Sequence, residues 1–239
     1  MTLEKELIAK WTYLNDAFCH AFREHDNTDR SQYLPSIVRK YHIKDIDVQQ
    51  LDTIRNIRNA IAHPGCAKDG SPLFELKESI ISILDDAIKI VHTLPRVSNV
   101  QKVNVSTCCL DDEIESVIST MVNESFSNVP VVDKERHVIG VFSESILPRL
   151  GLDMLRKKHF KKIRDIMEYL KMRGNTRRLD VFHFVKESDP VALLNYLCHE
   201  AAKSKSKRAE AFFVTDNGKK NGVLTGIVTV WDFVGLIEQ

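Results

Sequence analysis

The chain of 239 residues is 43% hydrophobic and 28% charged, and its formal net charge is +1 at pH 7. This composition is ordinary for a globular protein with a hydrophobic core, and the length favours two domains over one. The balanced charge excludes a general electrostatic attraction to nucleic acid or membranes, so any such partner has to be argued from a local cluster.

The N-terminal sequence has no apolar signal core, and no apolar run is long enough to span a bilayer. We therefore predict a cytoplasmic protein with no membrane partner. The cysteines are odd in number and lack CxxC spacing, which favours reduced thiols over disulfides and predicts no metal site. They are Cys19, Cys66, Cys108, Cys109 and Cys198.

Helical patterns fill the first 96 residues. Over residues 2–25, large apolar side chains recur every three or four positions, as on the buried face of a helix. A shorter helix is predicted at 31–41, with Pro35 in its first turn, and a long helix with an apolar stripe ends at Pro95. Together with a central helix, these elements predict an all-α bundle over residues 1–96.

The central helix lies within residues 51–65, LDTIRNIRNAIAHPG. Its apolar side chains fall on one arc at 100° per residue, opposite a polar arc. The apolar arc contains Ile54, Ile57 and Ile61. Asp45 or Asp47 is expected to cap the first turn, and the final Pro-Gly to end the helix. His63 is thereby placed in the last turn.

Asn59 and His63 are four residues apart, so they share a face of this helix and are close enough to hydrogen-bond. Arg58 lies about 140° away from His63 on an ideal helix. Arg58 and His63 can therefore act on one group only in two ways: the last turn unwinds, or a two-fold dimer brings together two copies of this helix end.

The sequence R-N-A-I-A-H at residues 58–63 resembles the R-x4-6-H motif of HEPN domains, whose catalytic members are metal-independent endoribonucleases that work as dimers. The resemblance implies RNA cleavage by attack of the 2′-OH on the adjacent phosphate. His63 would then be the general base or acid, Arg58 would bind the phosphate, and Asn59 would orient His63 or a phosphate oxygen. Arg55 is an implied substrate contact, and catalysis requires no cofactor.

Two alternatives to catalysis stay open for this helix. The bundle can bind RNA or a protein partner without cleaving it. The histidine can instead interact only with the helix dipole, while the arginine and the asparagine are solvated.

The pattern changes near Val97, where short apolar runs begin to alternate with helical segments. The strand runs are KVNV, NVPVVD and HVIGVF in a first copy and VFHFV, AFFVTD and VLTGIV in a second. The same interval separates Gly140 from Gly226 and Ser143 from Thr229, which marks an internal repeat of β-α-β-β-α units. Because each unit buries too little alone, two copies packed face to face are predicted.

Residues 152–179, between the two copies, hold ten lysines or arginines against three acids. One interpretation is a solvated linker helix whose KKIRDIM portion packs on the repeat pair. The other is a phosphate-contacting patch for RNA, and its candidate contacts are Lys157, Lys158 and Lys161.

The repeat resembles paired cystathionine-β-synthase (CBS) domains, which associate as a disc-shaped Bateman module. The resemblance rests on the repeat, on the Pro-Val-Val-Asp strand end and on the signature G-h-h-S/T-x-x-D, complete in the second copy as Gly226-Ile-Val-Thr229-Val-Trp-Asp232. It implies a module over 98–239, with a first copy at 98–151, a linker at 152–179 and a second copy at 180–239.

In family members that bind adenine nucleotides, the hydroxyl at the Thr229 position contacts phosphate at a helix N-terminus, and the acid at the Asp232 position accepts from ribose hydroxyls. The other implied nucleotide contacts are Ile227, Ala211, Ser127 and Asn128. The first copy has Ile146 in place of the acid, so one nucleoside site per chain is predicted. The alternative is that Thr229 only caps its helix and that Asp232 is solvated.

Together these inferences predict an α+β protein of two domains, a HEPN-like helical bundle followed by a tandem CBS pair. The predicted function is that of a homodimeric endoribonuclease regulated by an adenine nucleotide or related nucleoside. The alternative function is that of a non-catalytic regulatory protein, in which the same nucleotide-sensing pair controls a helical platform for RNA or a protein partner.

Overall fold

The computed structural model of the chain describes residues 2–22, 30–62, 75–155, 159–170, 182–203 and 209–237. The chain divides into two compact units. The helical unit comprises Met1–Arg96 and Ser188–Tyr196, and the mixed unit comprises Val97–Glu187 and Leu197–Gln239. Within the described ranges, no helix is both long enough and apolar enough to cross a membrane.

The helical unit contains α1 (Leu3–Ala21), α2 (Arg30–Lys40), α3 (Val48–Ala62) and α4 (Ser79–Thr93). The apolar stripe of α1 is buried as its spacing predicts, since four of its large side chains are at most 2% exposed. These are Leu7, Trp11, Leu14 and Phe18. They share one hydrophobic core with the buried faces of the other three helices, which is consistent with the all-α bundle expected here.

The start of α3 is fixed by Asp47, whose Oδ1 accepts hydrogen bonds from the backbone N–H groups of Gln49 (2.8 Å) and Gln50 (3.3 Å). Of the two aspartates expected to cap this helix, Asp47 therefore does so, whereas Asp45 takes a left-handed backbone conformation with φ of 65°. The predicted apolar arc packs into the core. Ile54, Ile57 and Ile61 of this arc are joined in the core by Leu51.

The first half of the mixed unit contains α5 (Ile114–Glu124), β1 (Asn128–Val132), β2 (Val138–Ser143) and α6 (Leu147–Leu155). Strands β1 and β2 pair antiparallel, with Val129 opposite Phe142. Both strands are buried along most of their length, as short continuous apolar runs predict. Cys108 bridges to β1 in parallel, and its N–H donates to the carbonyl of Pro130 at 3.0 Å.

The second half contains β3 (Phe182–Val185), β4 (Ala211–Thr215), β5 (Leu224–Val228) and α8 (Val230–Ile237), together with the part of α7 (Val191–Lys203) that follows Tyr196. The strand order is β3-β4-β5, with β3 parallel to β4 and β4 antiparallel to β5. Parallel strands need a long crossover, and α7 lies within the crossover from β3 to β4. The strand and helix order expected for the second copy is therefore present.

The first strand expected in the first copy, KVNV at 102–105, is not formed. Among these four residues, only Lys102 makes a bridge, antiparallel to Ile227 of β5. The chain bends at Val103 and Asn104, and Val103 is 62% exposed. The prediction was wrong because alternation of polar and apolar residues does not show whether a partner strand continues beyond the first pair.

Of the basic stretch, residues 152–155 form the end of α6, and residues 159–170 pack onto the first half of the mixed unit. Ile163 and Ile166 belong to a 3₁₀ turn and are fully buried. The cations of this turn face acids: Lys161 pairs with Glu113, and Lys162 and Arg164 pair with Asp111. The packed-linker interpretation fits this portion, while Lys157 and Lys158 lie outside the described residues.

Tyr169 anchors the same segment to α6. Its side chain is 7% exposed, and its hydroxyl donates to Oδ2 of Asp153, which is 9% exposed. The guanidinium carbon of Arg149 lies 5.2 Å from the ring centroid, within the range of a cation–π contact. A buried polar pair of this kind is costly to break, because the partner that remains is buried and cannot form a replacement hydrogen bond with water.

We predict that Tyr169→Phe lowers the free energy of unfolding by about 1–3 kcal/mol, because the buried Asp153 loses one donor. Urea denaturation followed by circular dichroism measures this. The matched control is Tyr13→Phe, which also removes one hydroxyl, 3.0 Å from His92 Nε2, but from a side chain that is 53% exposed. The control should change stability by less than about 0.5 kcal/mol, and equal losses in both variants would contradict the anchoring role.

Candidate ligand-binding site

The site begins where the chain at Lys102 crosses β5. The N–H of Lys102 donates to the carbonyl of Ile227 at 2.9 Å, and the N–H of Ile227 donates to the carbonyl of Lys102 at 3.0 Å. A Cβ on Gly226 would lie 2.4 Å from Oε1 of Gln101 and 3.3 Å from the Lys102 carbonyl oxygen. Gly226, the first residue of the signature, thus allows a close backbone approach that a larger residue would obstruct.

Thr229 and Asp232 are joined at the N-terminus of α8. The backbone N–H and the hydroxyl of Thr229 both donate to Oδ2 of Asp232, each at 2.7 Å. The N–H of Asp232 donates to the carbonyl of Thr229 at 3.1 Å. In this half of a capping box, the carboxylate at the third helical position satisfies the N–H of the cap residue.

Lys102 supplies the third donor to this carboxylate, with its Nζ 3.1 Å from Oδ1 of Asp232. The Asp232 side chain is only 12% exposed, so the alternative of a solvated Asp232 is wrong. Burial raises the pKa of Asp232, but the hydrogen bonds from Thr229 and Lys102 and the charge of Lys102 lower it by more. The net pKa lies below the ordinary value of 3.8.

A cavity of about 1040 Å³ opens beside this helix terminus within the mixed unit. Its size is at the upper end of the range of small-molecule pockets. Five of the six nucleotide contacts expected from the sequence line it, namely Ala211, Ser127, Asn128, Ile227 and Thr229. The sixth, Asp232, is bonded to the lining residue Thr229 rather than lining the cavity itself.

Asn128 gives the cavity an unused acceptor. Its Oδ1 is buried and has no hydrogen-bond partner among the described residues. Because a buried polar atom without a partner is costly, this oxygen is suited to receive an N–H or O–H group of a ligand. Asn128 is also one of the residues that line the cavity.

Sequence reasoning missed several lining residues of this site, among them Lys102, Cys198 and Trp231. Burial raises the pKa of the Cys198 thiol to about 11, so this thiol is neutral. Trp231 was visible inside the signature, between Thr229 and Asp232, but the pattern assigns no role to that position. Lys102 carried no local signal, because its partner lies on a distant strand.

The corresponding turn of the first copy is built differently. The hydroxyl of Ser143 lies 3.2 Å from that of Ser145, and Ile146 is 7% exposed in the position of the acid. An isoleucine accepts no hydrogen bond from a ribose. The absence of a nucleoside site in the first copy stays a prediction.

The structure describes only some of the candidate residues of the helical unit. Nη1 of Arg58 donates to Oδ1 of Asn59 at 3.0 Å in the last part of α3, and Nη1 of Arg55 lies 3.6 Å from Oδ1 of Asp52. His63 lies outside the described residues. Its expected meeting with Arg58, like its orientation by Asn59, therefore stays a prediction.

We predict that the free energy of unfolding of the Asp232→Asn variant falls less steeply than that of wild type as the pH is lowered. Since the pKa of Asp232 is lower in the folded chain than in the unfolded chain, its stabilisation is fully present above about pH 4. This stabilisation is lost as the pH falls through the folded-state pKa. Urea unfolding as a function of pH measures the effect.

In this comparison, Asp86→Asn on the exposed surface of α4 is the control and should keep the wild-type acid dependence. An Asp232→Asn variant as sensitive to acid as wild type would show that Thr229 and Lys102 do not stabilise the charged carboxylate.

Comparison with known proteins gives one family match, to the CBS domain, over residues 97–147. No curated protein matches the chain. Nothing in the comparisons supports a HEPN domain, and ribonuclease activity stays a hypothesis.

Several solved structures resemble the chain with low identity. The CBS domain pair of protein MJ0100, in complex with 5′-methylthioadenosine and S-adenosyl-L-methionine, is 16% identical and covers 61% of this chain and 97% of its own, with a TM-score of 0.43. CBSX2 of Arabidopsis thaliana in complex with AMP is 17% identical, with the same coverages and a TM-score of 0.44. An uncharacterized conserved protein from Pyrococcus horikoshii is 17% identical and covers 73% of this chain and 67% of its own, with a TM-score of 0.43.

By its family match, the segment 97–147 is a CBS domain.

Proposed function

We propose that the mixed unit is a tandem CBS module that binds one adenine nucleotide or related nucleoside, and that the chain is a regulatory protein controlled by this ligand. The observation that supports the proposal most is the cavity itself. It combines an apolar lining at Ile227 and Ala211, the buried acceptor of Asn128, and the carboxylate of Asp232 directly behind Thr229.

The carboxylate has capacity left for one ribose hydroxyl. A carboxylate offers about four acceptor positions. Oδ2 of Asp232 already accepts two hydrogen bonds from Thr229, and Oδ1 accepts one from Lys102. One ribose O–H can therefore donate to Oδ1 without displacing Lys102.

The base would then occupy the apolar part of the cavity. Ile227 offers partly exposed apolar contact area beside the fully buried Ala211, and Oδ1 of Asn128 would accept from an amino group of the base. The ligand regulates only if it binds two conformations of the chain with different affinities. The helical unit is the candidate output.

We predict that an adenosine-containing ligand raises the thermal midpoint of the full chain and that Asp232→Asn abolishes most of the rise. A ligand at a hundred times its Kd stabilises the folded state by about 2.7 kcal/mol. Differential scanning fluorimetry with ATP, ADP, AMP and S-adenosylmethionine measures the shift. A matched control is Asp47→Ala, which removes the cap of α3 at a cost of about 1 kcal/mol.

The Asp47→Ala chain should start from a lower midpoint but show the full ligand-induced rise, because Asp47 lies in the helical unit. If none of the four compounds moves the wild-type midpoint, the sensing proposal is wrong. If Asp232→Asn retains the full rise, the ribose contact is wrong.

The second candidate function is RNA cleavage by the helical unit. It is favoured by the pairing of Arg58 with Asn59 at the end of α3, one helical turn before His63 in the sequence. A guanidinium held in this way presents a planar donor fork to a phosphate. The same arrangement would serve RNA or partner binding without cleavage.

We predict, for this second candidate, that the chain cuts single-stranded RNA in EDTA and that His63→Ala slows cutting by at least about a hundredfold, the usual contribution of a general acid or base. Arg58→Lys keeps the charge but loses the fork, and should also be impaired. The control is His92→Ala on α4, where the histidine pairs with Tyr13. Equal RNA survival with wild type and His63→Ala excludes the ribonuclease function.

A further inference from the structure

Helix α7 belongs to both units of the chain. Its first part, up to Tyr196, is assigned to the helical unit, and its second part, from Leu197, to the mixed unit. Among the helices that the structure describes, no other is divided in this way. Because a helix is held together along its length by its own backbone hydrogen bonds, a displacement of one part of α7 moves the other part with it.

The first part of α7 packs into the core of the helical unit. Ala192, Leu193 and Tyr196 lie against the hydrophobic core that α1, α2, α3 and α4 share. The ring of Tyr196 meets the ring of the buried Tyr41 edge to face, with 5.0 Å between the centroids. Nζ of Lys40 lies 5.0 Å from the Tyr41 centroid and 5.1 Å from the Tyr196 centroid, so the same ammonium group contacts both rings.

The second part of α7 lines the cavity of the mixed unit. Cys198 and Ala202 are lining residues, and their spacing of four positions places them on one face of the helix. At 100° per residue, Cys198 lies about 200° around the helix from Tyr196. The cavity face is therefore nearly opposite the side that carries Tyr196, and only about 3 Å of helix rise separates the two residues.

The contact at Tyr41 continues toward α3, the helix that carries Arg58 and Asn59. Tyr41 directly follows the last residue of α2, and α2 and α3 share the buried core of the helical unit. Arg39 of α2 also pairs with Asp52 of α3. Packed and charged contacts of this kind are what carries energetic coupling between two sites.

We propose that α7 couples the cavity to the helical unit. A ligand that displaces the Cys198 face of α7 changes the packing of Tyr196 against Tyr41, and thereby the equilibrium between conformations of α2 and α3. The inference rests on the proposed function, because it takes the cavity to be a ligand site. Since coupling is reciprocal, a change at Tyr196 also alters the affinity of the cavity for its ligand.

The first test requires no ligand. Cys198→Phe adds a ring on the cavity face of α7 and acts as a fixed substitute for a bound group. Hydrogen–deuterium exchange of the full chain, followed by mass spectrometry, measures the local opening of α2 and α3. We expect exchange in peptides of these two helices to change by at least about fivefold, the lower end of typical coupling between sites.

Two matched variants separate coupling from a general loss of structure. Glu200→Phe places the same ring on an exposed position of α7 that does not line the cavity, and it should leave exchange in α2 and α3 unchanged. The double variant Cys198→Phe, Tyr196→Ala lacks the aromatic contact with Tyr41, so its exchange should match that of Tyr196→Ala alone. If the Cys198→Phe chain does not fold, Cys198→Leu takes its place with a smaller side chain.

The second test adds ATP, ADP, AMP or S-adenosylmethionine to the wild-type chain. A compound that raises the thermal midpoint should change exchange in the same peptides of α2 and α3. Tyr196→Ala should alter the affinity for that compound, measured by calorimetry, at least about fivefold.

The outcomes separate this inference from the proposed function. If no compound binds but Cys198→Phe changes exchange as expected, the adenosine site is wrong and the coupling stands. If a compound binds and leaves exchange in α2 and α3 unchanged, the coupling is wrong and the adenosine site stands. Equal exchange in the Cys198→Phe and Glu200→Phe chains also overturns the coupling.

Discussion

Two backbone hydrogen bonds between Lys102 and Ile227 hold together the candidate site of the mixed unit. They attach the beginning of the first copy to β5, the edge strand of the second sheet. Gly226 permits this approach because it has no side chain to meet Gln101. Once the backbone is fixed there, the Lys102 ammonium reaches Asp232. The backbone pairing at Lys102 thereby places a positive charge beside the carboxylate of Asp232.

The carboxylate of Asp232 links stability to ligand binding. It satisfies the N–H and the hydroxyl of Thr229, so α8 begins at a fixed place, and it balances the charge of Lys102 in a position that is only 12% exposed. A ligand that uses the remaining lone pair would add to an existing network. This is why the same group that stabilises the helix terminus is suited to orient a ribose.

Much of the fold follows from local patterns. The apolar stripes of α1 and α3 and the buried runs of the strands need no knowledge of distant partners, and the repeat identifies the second copy by its spacing. The signature also identifies Thr229 and Asp232, because a helix cap is a local interaction. What sequence reasoning could not find are long-range choices: the single bridge at Lys102 in place of a strand, its ion pair with Asp232, and the exposure of Trp231 at the cavity. These depend on which backbones meet, and alternation of residue types carries no such information.

A crystal structure of the full chain grown with adenosine tests the central claim most directly. The account predicts adenosine in the cavity, with a ribose hydroxyl within hydrogen-bond distance of Oδ1 of Asp232 and the base against Ile227 with its amino group toward Asn128. Adenosine bound elsewhere on the chain, or a ribose turned away from Asp232, would contradict it.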